Sequence, residues 1–363
     1  GLALPFSPAF GLIYYGALVT KFKDVAGGIK SHKFTKIALI GLALSGLISA
    51  LLAPDIIAGL INMPIPLVFI LICALGRWGI TKPRHFLQAV VWGCGILGLV
   101  VIIGHMLRLN IWWGKFPILA HFSGRGNVLG MADNGLAAML EAGVAGGLGL
   151  FLYKKSKDRW FYLFASITAL VGILFTYSRG SMVGTLASVV ILLVLDRKLI
   201  KRYWHVIVIL GVLVALFISQ NPGIARRVSS IVNLSTDRSN TGRLEIYEVT
   251  WNMIKDHPFF GVGPGQYGQV YETYRPEGYL KARSPHNMYL FVMVGWGLLG
   301  FLLFFSWLAN ITIWPLLKDN NPYRRIAFAM MASFWIHVIF NDIFIAHVPL
   351  LMGIISHPDL QPS

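Results

Sequence analysis

The chain has 363 residues, of which 56% are hydrophobic and 13% charged, with a mean hydropathy of +0.67. Soluble domains carry about 25% charged residues, so a water-soluble globule is excluded. The formal charge of +16 would suggest nucleic acid in a soluble protein, but here its distribution between apolar stretches matters more than its size. Cys73 and Cys94 both sit in apolar stretches and supply neither a disulfide framework nor a thiolate metal site.

Apolar runs able to cross about 30 Å of hydrocarbon recur along the whole chain and predict an all-α, polytopic transmembrane protein. Eleven spans are read, at 3–20, 36–54, 62–80, 86–107, 133–153, 160–176, 181–196, 203–220, 286–313, 325–341 and 343–356. The last is short enough to be re-entrant. Gly1 is not an initiator methionine, so a further upstream span would bring the total to twelve. No cleavable signal peptide is read, and residues 1–363 leave no room for a second soluble domain.

The intervals alternate in charge. Lys21 to Lys36, Arg77 to Arg84, Lys154 to Arg159, Arg197 to Arg202 and Lys318 to Arg325 hold 19 of the 31 Lys and Arg residues. By the positive-inside rule these face the cytoplasm, which puts residue 1 outside and Ser363 inside. Two outer loops stand out. Residues 108–132, with Trp112 and Trp113, read as a segment lying in the membrane interface. Residues 221–285 form one large insertion, well beyond the usual connection length. Within it Thr241 is placed to cap a helix running to about Lys255, with Leu244, Tyr247, Val249, Trp251 and Ile254 available for packing, before a turn-rich stretch at 257–268.

Arginine outnumbers lysine in the outer intervals, where Arg125, Arg179, Arg226, Arg227, Arg238, Arg243, Arg275 and Arg283 lie. A guanidinium stays charged and offers a planar fork of donors suited to phosphate oxygens. Snorkelling at the interface is the ordinary explanation of any single one. Arg179 departs from it, because TYSRGSM lies between two apolar spans with almost no loop, where a charge is costly unless it faces a cavity or a partner. In RSPHNMYLF, Ser284 as N-cap and Pro285 at N1 would put His286 in the first turn of a long apolar helix. The positive helix end there favours a neutral imidazole, which can act as a general base. His105, His121, His257, His337 and His347 lack comparable context. Glu245 and Glu248 share a helical face, and pairing with Arg243 or nearby bases explains them most simply. Glu141 and Asp342, within or beside spans, are each suited to orient an arginine or a histidine. No D-x-D, H-E-x-x-H or P-loop occurs, and no Cys/His cluster has metal-ligand spacing, so no metal or cofactor is expected.

Three blocks then carry a resemblance: TYSRGSMVG at 176–184, NTGRLEIYEVTWNMIKDHPFFGVGPGQY at 240–267 and SPHNMYLFVMVGWGLLG at 284–300. Together they resemble the O-antigen ligase superfamily, which also holds O-antigen polymerases and protein O-oligosaccharyltransferases. His286, Asn287, Gly297 and Gly300 fit its ligase-type histidine motif, while Val183 stands where the family often has leucine. The resemblance implies a multi-spanning glycosyltransferase of the GT-C type in the bacterial inner membrane, with one large periplasmic loop, 221–285, over the active site. It implies transfer of a glycan from undecaprenyl diphosphate to lipid A-core oligosaccharide. Carried onto matching positions, Arg179 and Arg243 would bind the diphosphate, joined by Arg125 in the looser block RGNVLGMADNG. His286 would be the catalytic base, with Asn287 and Glu245 in support. The rival readings are a surface-polysaccharide polymerase of the same superfamily and a transporter of polyprenyl-linked glycan.

Overall fold

The computed structural model describes residues 16–113, 116–122, 125–128, 133–232, 238–342 and 347–360, and side chains within these except at 112–133, 232–240 and 343–347. The helices before the large insertion are α1 (Phe22–Ser31), α2 (Lys33–Leu51), α3 (Ile56–Asn62), α4 (Ile65–Ala74, continued by a π turn Leu75–Gly79), α5 (Pro83–Met106), α6 (Asp133–Tyr153), α7 (Arg159–Thr176), α8 (Arg179–Leu195) and α9 (Arg197–Ser219). The insertion contributes α10 (Pro222–Val232), α11 (Arg238–Asp256) and α12 (Tyr267–Tyr274). Beyond it come α13 (Met288–Lys318), α14 (Pro322–His337) and α15 (His347–Ile355).

Among the described residues seven helical segments are long and apolar enough to cross a membrane: α2, Ile56–Gly79, α5, α6, α7, α9 and α13. The chain is thus a predominantly α-helical, multi-pass membrane protein, its described strands confined to one short sheet. The predicted spans largely coincide with helices, except that most of 3–20 and the first four residues of 343–356 lie outside the described residues. Three of the helices at predicted spans are shorter than a full span: α8 with 17 residues, α14 with 16 and α15 with 9. At 1.5 Å per residue α15 covers only about 14 Å, and it is buried against α4 and its π turn.

Helix α6 is the hub of the bundle. Fully 94% of its apolar window is buried, against 6% for α9, so α6 is wrapped by protein while α9 turns Trp204, Val208, Val212 and Leu216 outward. The cause is composition. The run EAGVAGGLGL in α6 keeps side chains small, and a Cβ on Gly147 would stand 2.6 Å from the Tyr162 carbonyl of α7. Small residues let apolar helices approach where lipid supplies no hydrophobic drive between them.

Contacts between loops put the predicted basic intervals at one end of the bundle. Arg325 pairs with Asp196 at 3.1 Å, Tyr153 donates to the same carboxylate at 3.0 Å, and the Arg84 guanidinium lies 5.0 Å over the Tyr323 ring. At the opposite end, 108–132 is not simply an interfacial segment. Ile111–Trp113, Phe116–Phe122 and Arg125–Val128 form a three-stranded antiparallel sheet, β1-β2-β3, with Leu119 opposite Val128 and Phe122 opposite Arg125. Backbone pairing satisfies the N–H and C=O groups that an irregular stretch at the membrane surface would leave to water.

The insertion has its own core. Ile246, Val249, Met253 and Ile254 of α11 pack on Val262, Tyr267 and Tyr271, with Val294 of α13. Leu244 and Trp251, expected to pack, are instead 64% and 52% exposed, because α11 buries the face carrying Ile246, Val249 and Met253. The turn-rich stretch explains how this unit is anchored. Helix α13 breaks at Gly297 (φ 68°, ψ −176°), and the freed backbone groups are taken up by the loop: Leu298 N donates to Pro258 O at 2.8 Å and Val262 N to Val294 O at 2.8 Å. Ser49 of α2 closes the joint, donating to Phe260 O and Gly295 O. Backbone at that φ and ψ is essentially confined to glycine, and a Cβ on Gly297 would meet Phe259 O at 2.2 Å. Gly297→Ala is therefore expected to destabilise the folded protein by at least about 1–3 kcal/mol. Gly295→Ala, where an added Cβ meets nothing within 4 Å, is the control. Thermal unfolding of the two purified variants in detergent checks this, and equal midpoints would refute it.

Candidate active site

His286 does not sit in the first turn of α13. Asn287 is the N-cap, its Oδ1 accepting from Tyr289 N at 2.9 Å and Leu290 N at 3.1 Å, so the helix starts three residues later than the Ser284 reading predicts. Asn outcompetes Ser284 because its amide oxygen meets two of the orphan N–H groups at once. His286 then precedes the cap in the left-handed region, φ 51°. That conformation costs a non-glycine residue about 1–2 kcal/mol, and strained backbone of this kind clusters at functional sites.

Its ring is set by a carboxylate rather than by the helix end. His286 Nδ1 lies 3.7 Å from Asp342 Oδ1, an ion-pair separation slightly longer than a formed hydrogen bond. The His286 side chain is 46% exposed and that of Asp342 16%, so the imidazole is open to a substrate while its partner is covered. Burial by itself would raise the Asp342 carboxyl, but polar contacts from the His286 ring and the Ser284 hydroxyl, with the attraction of the imidazole charge, outweigh it and hold the group below the usual carboxylate range.

Asp342 ends a short segment, 338–342, that ties the site together. Val338 O accepts from Met288 N at 2.9 Å, which fixes the start of α13. Ile339 O accepts from the Tyr247 hydroxyl of α11 at 3.1 Å, and the same hydroxyl lies 3.4 Å from His286 O. Burial pushes the Tyr247 phenol up, so it remains a donor. Asn341 Oδ1 accepts from Asn134 Nδ2 at 3.0 Å, and Asn134 Oδ1 accepts from Ser178 Oγ at 2.8 Å. Three side chains thus link Asp342's neighbour to the residue before Arg179. Arg179 and His286 lie at the same end of the bundle, joined by one polar chain.

Arg179 is the first residue of α8 and is 8% exposed. Its Nη1 reaches Ser230 O and Oγ of α10, each at 3.4 Å. Nearby Arg227 donates Nε–H to Tyr177 O at 2.9 Å, and Tyr177 ends α7 in the left-handed conformation, φ 56°. Because Ser178 directs its hydroxyl to Asn134, it makes no side-chain cap to α8. The positive end of a helix and a buried guanidinium therefore coincide, an arrangement that favours an anion.

The other predicted residues are placed as follows. Arg243 is half-buried on α11, one turn before Tyr247, and acts electrostatically on its phenol. Arg125 opens β3, and its side chain lies outside the described ones. Glu245 accepts from Leu280 N at 3.1 Å and Glu248 from the Tyr279 hydroxyl at 3.1 Å, so both staple the 279–280 stretch to α11. Behind Arg179, the fully buried His337 of α14 brings Nδ1 within 2.6 Å of the fully buried Glu141 Oε1 and 3.0 Å of Ser181 Oγ. Sequence reasoning passed over His337, as well as Asn134, Ser178 and Asn341. Its one usable signal was the pair of acids in or beside spans, Glu141 and Asp342, each of which faces a histidine.

Residues 164–305 match the family model described as O-antigen ligase. Over that stretch the chain is similar to the O-antigen ligase family. No curated protein matches it. That likeness supports a ligase- or polymerase-type glycosyltransferase activity in a membrane-embedded chain, with polyprenyl-linked glycan and lipid as partners. The matched stretch contains Arg179, Arg243, His286 and Gly297, whereas Asn134, His337 and the 338–342 segment lie outside it.

Proposed function

We propose that the chain is a metal-independent, inverting O-antigen ligase, moving glycan from undecaprenyl diphosphate to lipid A-core oligosaccharide at the periplasmic face of the inner membrane. The observation that carries this is the exposed His286 backed by Asp342, at the same bundle end as Arg179 at the start of α8. With Nδ1 turned to Asp342, Nε2 is the ring nitrogen left to accept a proton. An acceptor hydroxyl attacks the anomeric carbon, its proton passes to Nε2, and the bond from that carbon to the diphosphate oxygen breaks. The electron pair leaves on undecaprenyl diphosphate. Displacement from the opposite side inverts the carbon.

Arg179, Arg243 and Arg125 are assigned to the diphosphate, where guanidinium forks neutralise the charge growing on the leaving group. A metal does that work in many other transferases. Asn287 supports the base by starting α13 just after it. Glu245 supports the site from further off, by holding the 221–285 insertion in its fold over the cleft.

The test is purified protein in nanodiscs with lipid-linked donor, offered lipid A-core, lipid-linked repeat or protein acceptor. Glycosylated lipid A-core, with release of undecaprenyl diphosphate unaffected by a chelator, is expected. An elongated lipid-linked glycan would move the assignment to a polymerase, and passage across the bilayer with no new glycosidic bond to a transporter. In the same assay Arg179→Lys is expected to raise KM for the donor about tenfold, the loss of one forked contact worth about 1.4 kcal/mol. An unchanged KM would remove Arg179 from the diphosphate site.

A further inference from the structure

The end of α13 remote from His286 borders a cavity of about 440 Å³. Four cations line it, Lys33, Arg77, Lys318 and Arg324, together with the single carboxylate of Asp319. They come from three intervals that the sequence places on the cytoplasmic side. Arg324 and Asp319 satisfy each other at 3.0 Å, and the remaining Arg324 donors go to Ile355 O and His357 O. That leaves Lys33, Arg77 and Lys318 with no carboxylate among the lining residues. Arg77 lies in the π turn with its guanidinium 5.1 Å over the Trp78 ring, and its buried Nε has no hydrogen-bond partner among the described residues. His32 also lines the cavity. Burial, then the charge of Arg77, lowers its pKa, so the ring stays neutral there and spends Nδ1 on capping α2 through Thr35 N.

The rim is apolar and open. Phe34 and Ile37 at the start of α2 are 40% and 49% exposed, and Trp314 and Leu317 at the end of α13 are 57% and 74% exposed. The exposed stripe continues along α2 through Ile40 and Leu44, in the direction of the bilayer interior. A free anion would use the cations and leave this rim bare. A ligand with a phosphate at one end and hydrocarbon at the other would use both, and basic pockets between transmembrane helices on the cytoplasmic side suit such headgroups. Tryptophan beside the charge is the expected residue at headgroup depth.

We propose that this cavity binds the phosphate headgroup of an anionic phospholipid from the leaflet opposite the candidate active site, with the acyl chains lying along Phe34, Ile37 and Trp314. The experiment is thermal unfolding of the purified full chain in detergent, titrated separately with phosphatidylglycerol, phosphatidylcholine and sodium phosphate. A saturable rise in midpoint with phosphatidylglycerol and none with phosphatidylcholine is expected. Lys33 and Lys318 are exposed, so the double variant Lys33→Ala/Lys318→Ala should keep the lipid-free midpoint while weakening the apparent phosphatidylglycerol affinity at least tenfold. Arg179→Lys should leave that affinity unchanged, which separates this cavity from the arginines at the other end. An equal response to phosphatidylcholine, or an undiminished affinity in the double variant, would overturn the site. A full response to sodium phosphate alone would overturn the lipid as its ligand.

Discussion

His286→Ala is expected to lower turnover about 10²- to 10⁴-fold, the usual contribution of a positioned proton acceptor, while the variant still folds and binds the lipid-linked donor. Folding should survive because the ring is 46% exposed and α13 is capped by Asn287, not by His286. Removing the side chain also leaves untouched the backbone carbonyl beside Tyr247. Asp342→Asn is the companion test. If His286 takes the acceptor's proton, an amide in place of the carboxylate would no longer stabilise the resulting imidazolium, and losses of about 10²-fold or more in kcat follow when such a partner is neutralised. KM for the donor should move little, because Asp342 lies against His286.

The pH dependence has a definite sign. Asp342 has a folded pKa held below the ordinary carboxylate range, net of a burial effect that opposes it. A group depressed on folding contributes stability that is present above its unfolded value, about 3.9, and that is lost as pH falls through the folded value. The Asp342 carboxylate is therefore ionised near neutrality, and its stabilising contribution fades only below about pH 4. Asp342→Asn should flatten that acid-side loss of stability, and its activity should be depressed at every pH. Wild-type turnover by either variant would remove the base assignment.

The second large effect concerns the bundle interior. His337→Leu is expected to destabilise the protein by about 3–5 kcal/mol, because it strands Glu141, at 0% exposure, without its 2.6 Å partner. Adding Glu141→Leu should recover most of the loss, since replacing both members of a buried pair with apolar side chains of similar volume is close to neutral. Denaturant unfolding of the single and double variants makes the comparison. A single variant as stable as the double would show that the pair contributes nothing. The pair also bears on the site: a Cβ on Gly180 would stand 2.5 Å from the His337 ring and 3.3 Å from Asn341 Nδ2. The first turn of α8, and Arg179 with it, is thereby seated against α14 and the 338–342 segment. In the double variant the activity should return less completely than the stability, with the deficit appearing in KM for the donor.

Much of this protein was legible in its residues. Hydrocarbon thickness fixes the length of an apolar span, and the alternation of basic and near-neutral intervals fixes which ends of the spans go together. The helices and the gathering of Asp196, Arg325, Arg84 and Tyr323 at one end follow from those two constraints. The glycines of HPFFGVGPGQYG and Gly297 were visible as turn and motif residues, but not as the two halves of one backbone joint. That pairing crosses the long insertion, and a lone glycine does not say which carbonyl it admits.

Charge pattern, span length and arginine chemistry by themselves determined a multi-pass membrane protein with cations on one end and a histidine and arginines on the other. Only the tertiary structure decided what orients that histidine. The sequence reading gave the task to the start of a helix, which is a local property. The packing of α14 gave it to Asp342, and the same 338–342 segment anchors Met288, Tyr247 and, through Asn134, Ser178. Capping is settled among neighbours within four residues, and there Asn287 won. A partner 56 positions away is chosen by how separate helices pack, which no short stretch of sequence encodes.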